Sequence, residues 1–170
     1  MLFRSRGPAF EKIISELTTL TSLYISEISE LAHLPKHFLQ KNRSLMDLRI
    51  GECADLESIL PHERVWPICT SLRSLSIDGC DKLSTLPDAL HNLHCLENVE
   101  INCPNLRSFP NVQGMPSFLQ RLRISCSDEV LPTGLQSCMF LQYLIICICP
   151  HLISIPDLQN LPSLTQLEIY

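Results

Sequence analysis

An apolar motif that closes with proline returns along almost the whole chain. Its clearest copy has seven positions: Leu72, Leu75, Ile77, Cys80, Leu83, Leu86 and Pro87. Seven copies align, and their first leucines are Leu20, Leu45, Leu72, Leu96, Leu119, Leu141 and Leu164. The steps between these leucines are 25, 27, 24, 23, 22 and 23 residues. A register repeated this often limits the chain to a stacked-repeat architecture.

The spacing inside each copy predicts one short strand per repeat. Leu75 and Ile77 lie two residues apart, which is the period of a strand with one buried face. A single copy cannot bury that face alone, so the copies stack with their strands parallel. The repeat length falls within the roughly 20–29 residues of leucine-rich repeats. We therefore predict an α/β solenoid, a leucine-rich-repeat horseshoe with a concave parallel β-sheet and an irregular or short-helical convex side.

The segments between strands carry a second apolar set, which predicts single helical or 3₁₀ turns on the convex side. The pairs in this set are Leu90 and Leu93, Val112 and Met115, Leu135 and Cys138, and Leu158 and Leu161. The longest connection, 60–72, holds the only tryptophan, Trp66, and predicts an irregular convex bulge.

The repeats predict a single domain over residues 1–170, with residues 1–10 poorly ordered. Ile13, Ile14 and Leu17 are typical of the tail of a repeat without its strand, and the last copy stops at Tyr170 within its strand. The end repeats of a solenoid normally carry polar caps. We therefore expect both ends to be truncated and the sequence to be a slice of a longer array.

Net charge and cysteine content limit the class of partner and the cellular compartment. The net charge of −5 disfavours a nucleic-acid partner. Nine cysteines, an odd count spread along the chain, favour buried free thiols in a reducing compartment. The N-terminus lacks the apolar stretch of a signal peptide, and no apolar run is long enough to cross a bilayer. We predict a cytoplasmic protein without a membrane partner, and we interpret the sequon at Asn42 as chance.

The residues between the buried strand positions predict an exposed concave face with three columns. The leading column is Ser22, Asp47, Ser74, Asn98, Arg121, Tyr143 and Gln166. The central column is Tyr24, Arg49, Ser76, Glu100, Arg123, Ile145 and Glu168. The trailing column is Ser26, Gly51, Asp78, Asn102, Ser125, Cys147 and Tyr170. These positions vary in size and charge while the buried positions repeat, as a recognition surface on a constant scaffold requires.

We assign protein binding to twelve residues of these columns: Tyr24, Arg49, Ser76, Asn98, Glu100, Arg121, Arg123, Tyr143, Ile145, Cys147, Gln166 and Glu168. Glu100 and Arg123 should lie side by side on neighbouring strands, as an ordinary surface ion pair. Tyr143, Ile145 and Cys147 form an apolar patch. Its alternatives are an anchor for a partner, contact with a flanking segment, and strand propensity alone.

Patterns of catalysis and metal binding are absent from the sequence. His91 and His94 lie three apart without further ligands for a metal, and the spacing of Cys147 and Cys149 fits neither a zinc knuckle nor a redox pair. Neither a Gly-x-Ser-x-Gly elbow nor a Gly-x-x-x-x-Gly-Lys phosphate loop occurs. We predict a protein that is not an enzyme and that takes no cofactor or metal.

The run Leu-x-x-Leu-x-Ile-x-x-Cys-x-x-Leu-x-x-Leu-Pro resembles the repeat domain of plant intracellular nucleotide-binding leucine-rich-repeat disease-resistance proteins, in their coiled-coil branch. The resemblance covers roughly residues 11–170, and the missing phosphate loop is its main departure from the family. It implies the recognition module of a plant innate immune receptor, with a protein partner: a pathogen effector, a host guardee, or the nucleotide-binding domain of the same receptor. The alternative is the substrate adaptor of a ubiquitin ligase, which needs an F-box segment upstream, and none is visible.

Overall fold

The structure, a computed structural model, describes residues 7–60, 71–87, 90–107, 116–125, 134–155 and 157–170. Seven parallel strands form one sheet in the order β1 to β7. Their bounds are Ser22–Ser26, Asp47–Gly51, Ser74–Asp78, Asn98–Asn102, Arg121–Ser125, Tyr143–Ile146 and Gln166–Ile169. The helices are α1, Gly7–Ser15, and α2, Phe38–Lys41. The predicted solenoid with a parallel sheet is confirmed.

The strands pair in the register that the repeat predicts. Leu75 of β3 lies opposite Leu48 of β2, and Ile77 lies opposite Ile50. Each of these side chains is at most 1% exposed, so the motif's apolar positions form a continuous core that crosses the repeats. Stability therefore comes from stacking between repeats, because each copy supplies one layer of that core.

A cysteine follows the strand in several repeats and points into the core. Cys53, Cys80 and Cys103 are each 0% exposed, and the Cys103 thiol donates to the carbonyl of Ile77 in the preceding repeat at 3.8 Å. Burial raises the pKa of Cys53 to about 11, so its thiol stays protonated at neutral pH. Cysteine suits this position because it packs as a small apolar group that also offers a weak donor.

The convex connections contain the short turns that the second apolar set predicts. Two 3₁₀ turns span Leu90–Asn92 and Leu135–Ser137, and both leading leucines are buried. Leu161 is buried as well, whereas Leu158 is only partly buried. Trp66, Val112 and Met115 lie outside the described residues, and so does the predicted bulge.

The N-terminal segment differs from the prediction. Residues 7–10 belong to α1, a helix that the repeat pattern did not predict, and the order of residues 1–10 stays a prediction. Ile14 is 3% exposed and joins the core, but Ile13 and Leu17 are 63% and 39% exposed, so the three do not act together as a repeat tail. Gly7 explains how α1 approaches the first repeat, because a Cβ there would lie 2.2 Å from the Glu30 carbonyl oxygen.

The sequon asparagine is a buried structural residue. Asn42 is 1% exposed, and its amide nitrogen donates to the carbonyls of Leu17 and Phe38 at 2.9 and 3.1 Å. Its side-chain oxygen accepts a hydrogen bond from the Leu20 amide at 3.1 Å. The side chain therefore ties α2 to the start of β1 and has no free nitrogen to carry a glycan, in agreement with a chance sequon.

Within the described ranges, no helix combines the length and the hydrophobicity that a membrane crossing needs.

Candidate protein-binding surface

The leading and central columns line a broad hollow on the sheet face. The hollow measures about 560 Å³ and extends from Asp47 and Arg49 of β2 to Tyr143 and Ile145 of β6. A second hollow of about 380 Å³ adjoins it, lined by Ser22 and Tyr24 of β1 together with the same two residues of β2. The period-2 alternation of the strands places these side chains here, because their neighbours at every other position fill the core.

The structure brings together most of the twelve residues predicted to bind a partner. Eight of them line the larger hollow: Arg49, Ser76, Asn98, Glu100, Arg121, Arg123, Tyr143 and Ile145. Tyr24 lies beside Arg49 in the smaller hollow, while Gln166 and Glu168 lie on β7 beyond these hollows.

Cys147 is the exception, because it is only 7% exposed. The prediction that it lies open on the concave face is wrong, and the apolar patch reduces to Tyr143 and Ile145. Strand β6 ends at Ile146, and the next residue after Cys147, Ile148, has a φ of +46° and is 74% exposed. The chain therefore leaves the sheet plane at this point.

A residue with a positive φ follows the trailing-column residue in four of the repeats. Glu27, Glu52, Gly79 and Ile148 each follow a trailing-column residue and have φ values of 56°, 50°, 61° and 46°. Within the trailing column, Gly51 and Ser125 are buried like Cys147, whereas Ser26, Asp78 and Asn102 are partly exposed. Glycine at Gly79 was the single sequence signal of this conformation, because glycine adopts positive φ without strain.

The predicted neighbours Glu100 and Arg123 are paired in register across β4 and β5. The Arg123 Nε lies 3.5 Å from the Glu100 Oε1, with side chains 51% and 49% exposed. Solvent screens a pair this exposed, so its contribution to stability is about 0–1 kcal/mol.

Arg121 and Tyr143 form a contact that the sequence reasoning missed. The guanidinium carbon of Arg121 lies 4.6 Å from the centre of the Tyr143 ring. The two residues are adjacent in the leading column, opposite one another on β5 and β6. That adjacency was the available signal, since a cation over an aromatic ring is attracted by its negative face.

The last strand holds a separate polar group. The Tyr170 hydroxyl donates to the Glu168 carboxylate at 2.5 Å, and the Gln166 amide donates to the same carboxylate. These hydrogen bonds lower the pKa of Glu168, so it stays ionised. Gln166 and Glu168 are thus engaged with each other rather than with the hollow.

The described part of the chain contains no cluster of three or more histidine, cysteine, aspartate or glutamate side chains that could hold a metal ion.

The solved structures that are similar to this chain include two leucine-rich-repeat proteins. The leucine-rich-repeat domain of the type III effector XopL is 17% identical with a TM-score of 0.34, over 95% of this chain and 80% of that one. A leucine-rich-repeat protein of Leptospira interrogans is 17% identical with a TM-score of 0.28, over 94% of this chain and 57% of that one. No family model and no curated protein matches the sequence.

Proposed function

We propose that the concave face is a protein-recognition surface and that the chain is a binding module rather than an enzyme. The observation that carries this proposal is that eight independently predicted residues line one hollow of about 560 Å³. The sheet beneath them is held by a core of buried leucine and isoleucine, so the side chains are presented from a rigid support. Preorganised side chains lose less conformational entropy when a partner binds.

The residue types in the hollow support protein recognition. Tyr143 and Ile145 are partly buried, and Arg121 lies over the tyrosine ring. Tyrosine and arginine are enriched among residues that dominate binding energy, because they combine a large apolar contact area with directed hydrogen bonds.

The particular module we propose is the recognition half of a plant disease-resistance receptor in the cytoplasm. The resemblance of the repeat supports the receptor class, and the buried free thiols support a reducing compartment. The partner would be a pathogen effector, a host guardee or the nucleotide-binding domain of the same receptor.

The test is recovery of proteins from plant-cell extract on the immobilised chain, with Ser76→Trp as the blocking variant. Ser76 lies at the centre of the larger hollow, so an indole there fills the space a partner would occupy. Ser117→Trp is the matched control, because Ser117 is exposed and lies away from the hollow. We expect the partner with the wild type and the control but not with Ser76→Trp, and equal recovery on all three contradicts the proposal.

The identity of the recovered protein tests the finer statement. Nucleotide-binding receptor domains or pathogen effectors favour the immune receptor. Ubiquitin-ligase scaffold proteins favour the adaptor and overturn the receptor proposal.

A further inference from the structure

The larger hollow carries more positive than negative charge, although the whole chain has a net charge of −5. Its charged lining consists of Arg49, Arg121 and Arg123 against Asp47 and Glu100. Arg123 is engaged with Glu100, whereas Arg49 and Arg121 form no ion pair with any described residue. Two arginines without an ion pair, in a lining of three cations and two carboxylates, indicate a surface that is complementary to negative charge.

The ring of Tyr143 orients one of these cations. The guanidinium carbon of Arg121 lies over the ring, and the N–H donors of this planar group can still match the two oxygens of a carboxylate. Arg121 is therefore held with its donors available, and it loses little further freedom when it binds an acid.

The spacing of the two arginines fits an extended peptide. Arg49 lies on β2 and Arg121 on β5, so three strand spacings, or roughly 14 Å, separate them across the sheet. Arg121 also lies two residues before Arg123, the residue in register with Arg49, so the two arginines are roughly 16 Å apart. An extended chain advances about 3.4 Å per residue, so four residues span roughly 14 Å, and the length of the arginine side chains covers the remainder. Residues four apart in an extended chain point to the same side.

The floor between the arginines leaves room for a backbone. Ser74 and Ser76 of β3 are small and polar, and Asn98 of β4 adds an amide that can pair with a peptide group. Small polar residues here let a strand-like segment approach the sheet face without displacing apolar bulk.

We propose that the partner presents an acidic segment in extended form across the strands, with one carboxylate on Arg121 and a second, four residues away, on Arg49. This inference rests on the proposed function, since it names the chemistry that the concave face recognises. At one end of this line, Tyr24 is 69% exposed beside Arg49, and at the other end Tyr143 lies beside Arg121. An apolar side chain at each end of the bound segment would contact them.

The experiment measures binding of labelled peptides of about ten extended residues to the purified 170-residue chain. The probe peptide carries two glutamates four positions apart, and its partners carry glutamine, lysine or phosphoserine at the same positions. A fifth peptide has its glutamates three positions apart, which places them on opposite sides of an extended chain. Fluorescence anisotropy at low and high salt gives the affinities.

We expect the glutamate peptide to bind about tenfold more tightly than the glutamine peptide, with the preference reduced by salt. The lysine peptide and the three-apart peptide should bind more weakly than the probe. The double variant Arg49→Gln/Arg121→Gln should lose the preference for glutamate. Arg107→Gln makes the same kind of charge change at an exposed residue outside the hollow and should keep it.

Equal affinity for glutamate and glutamine peptides overturns the inference, and so does binding of the phosphoserine peptide alone or of no peptide at all. These results leave the proposed function standing if Ser76→Trp still abolishes recovery of a partner from extract. If Ser76→Trp does not abolish recovery of a partner, by contrast, the proposal that the concave face is a recognition surface is itself contradicted.

Discussion

The two ends of the sheet carry the same apolar motif but bury it to different degrees. At the N-terminal end, Ile25 of β1 is 4% exposed, and Leu23 packs against a core that includes Ile14 of α1. At the other end, Leu167 and Ile169 of β7 are 46% and 53% exposed. Both strands have a neighbouring strand on one side only. At the N-terminal end, Ile14 of α1 and residues that follow β1, such as Leu31, belong to the same core as Ile25.

The comparison shows that the motif determines which way a side chain points, whereas the neighbouring elements determine whether that side chain is buried. In β5 the equivalent residues Leu122 and Ile124 have a strand on each side and are at most 1% exposed. The contribution of a motif residue to the free energy of unfolding should therefore depend on how far neighbouring elements bury it, and not on the residue type alone.

The largest expected effect separates an interior leucine from its equivalent in the last strand. Leu122→Ala should lower the free energy of unfolding by about 3 kcal/mol, because it opens a cavity in a packed core. Leu167→Ala should cost less than about 1.5 kcal/mol, because nearly half of that side chain already contacts solvent. Chemical denaturation followed by circular dichroism measures both values. Equal losses would contradict the conclusion that buried and exposed copies of the motif contribute differently to stability.

The next effect tests the polar link at the N-terminal end. Asn42→Ala should destabilise the chain by about 2 kcal/mol, because it leaves the Leu20 amide and the Leu17 carbonyl without this partner and removes the side-chain bond to the Phe38 carbonyl. Asn105→Ala is the control, since the exposed Asn105 amide makes one hydrogen bond, to the Asp81 carbonyl. We expect a loss below about 1 kcal/mol for the control. A loss at Asn42 no larger than at Asn105 would show that the link does not stabilise this end.

A smaller effect concerns the docking of α1. Gly7→Ala places a methyl group against the Glu30 carbonyl and should weaken docking of the helix by about 1–2 kcal/mol. Hydrogen exchange should then accelerate in α1 and at Ile25 while β4 stays protected. Gly51→Ala is the matched control, because its new Cβ meets only the Ser26 Oγ at 3.6 Å. Unchanged exchange in α1 would mean that the helix does not depend on this close approach.

The smallest effect comes from an exposed ion pair in the N-terminal half. The Lys82 ammonium, 2.8 Å from Asp55, and the Glu30 amide lower the pKa of Asp55. Because the pKa of Asp55 is lower in the folded state than in the unfolded state, its ion pair stabilises the fold at pH values above the unfolded-state pKa. This stabilisation is lost as the pH falls through the folded-state pKa. Asp55→Asn should therefore reduce the denaturation midpoint slightly at neutral pH, and the difference should shrink in acid. Asp157→Asn, which removes a carboxylate without an ion pair among the described residues, is the control for the loss of one negative charge.

Much of the fold could be predicted from the sequence because the seven copies of the repeat can be aligned with one another. Leu75 and Ile77 face inward because strands alternate, and Glu100 meets Arg123 because equal repeat positions fall in register. Eight of the twelve predicted binding residues share one hollow for the same reason. The binding role of these residues remains a prediction that the partner experiments test.

The remaining features escaped the sequence because they depend on backbone conformation or on distant contacts. Ile148 and Glu52 give no compositional warning of positive φ, so the burial of Cys147 at the adjacent turn was missed. The role of Asn42 depends on groups 22 and 25 residues away. The helix α1 precedes the first strand, and the repeat pattern did not indicate it.

The sequence by itself determined the repeat, the parallel register, the inward set of leucines and isoleucines and the columns of the concave face. Those features follow from the two-residue period of a strand, which is local geometry. Only the tertiary structure decided which copies of the motif are buried, which trailing-column residues are buried and how Arg121 lies over Tyr143. Burial and orientation depend on the atoms that surround a side chain, and those atoms belong to other repeats.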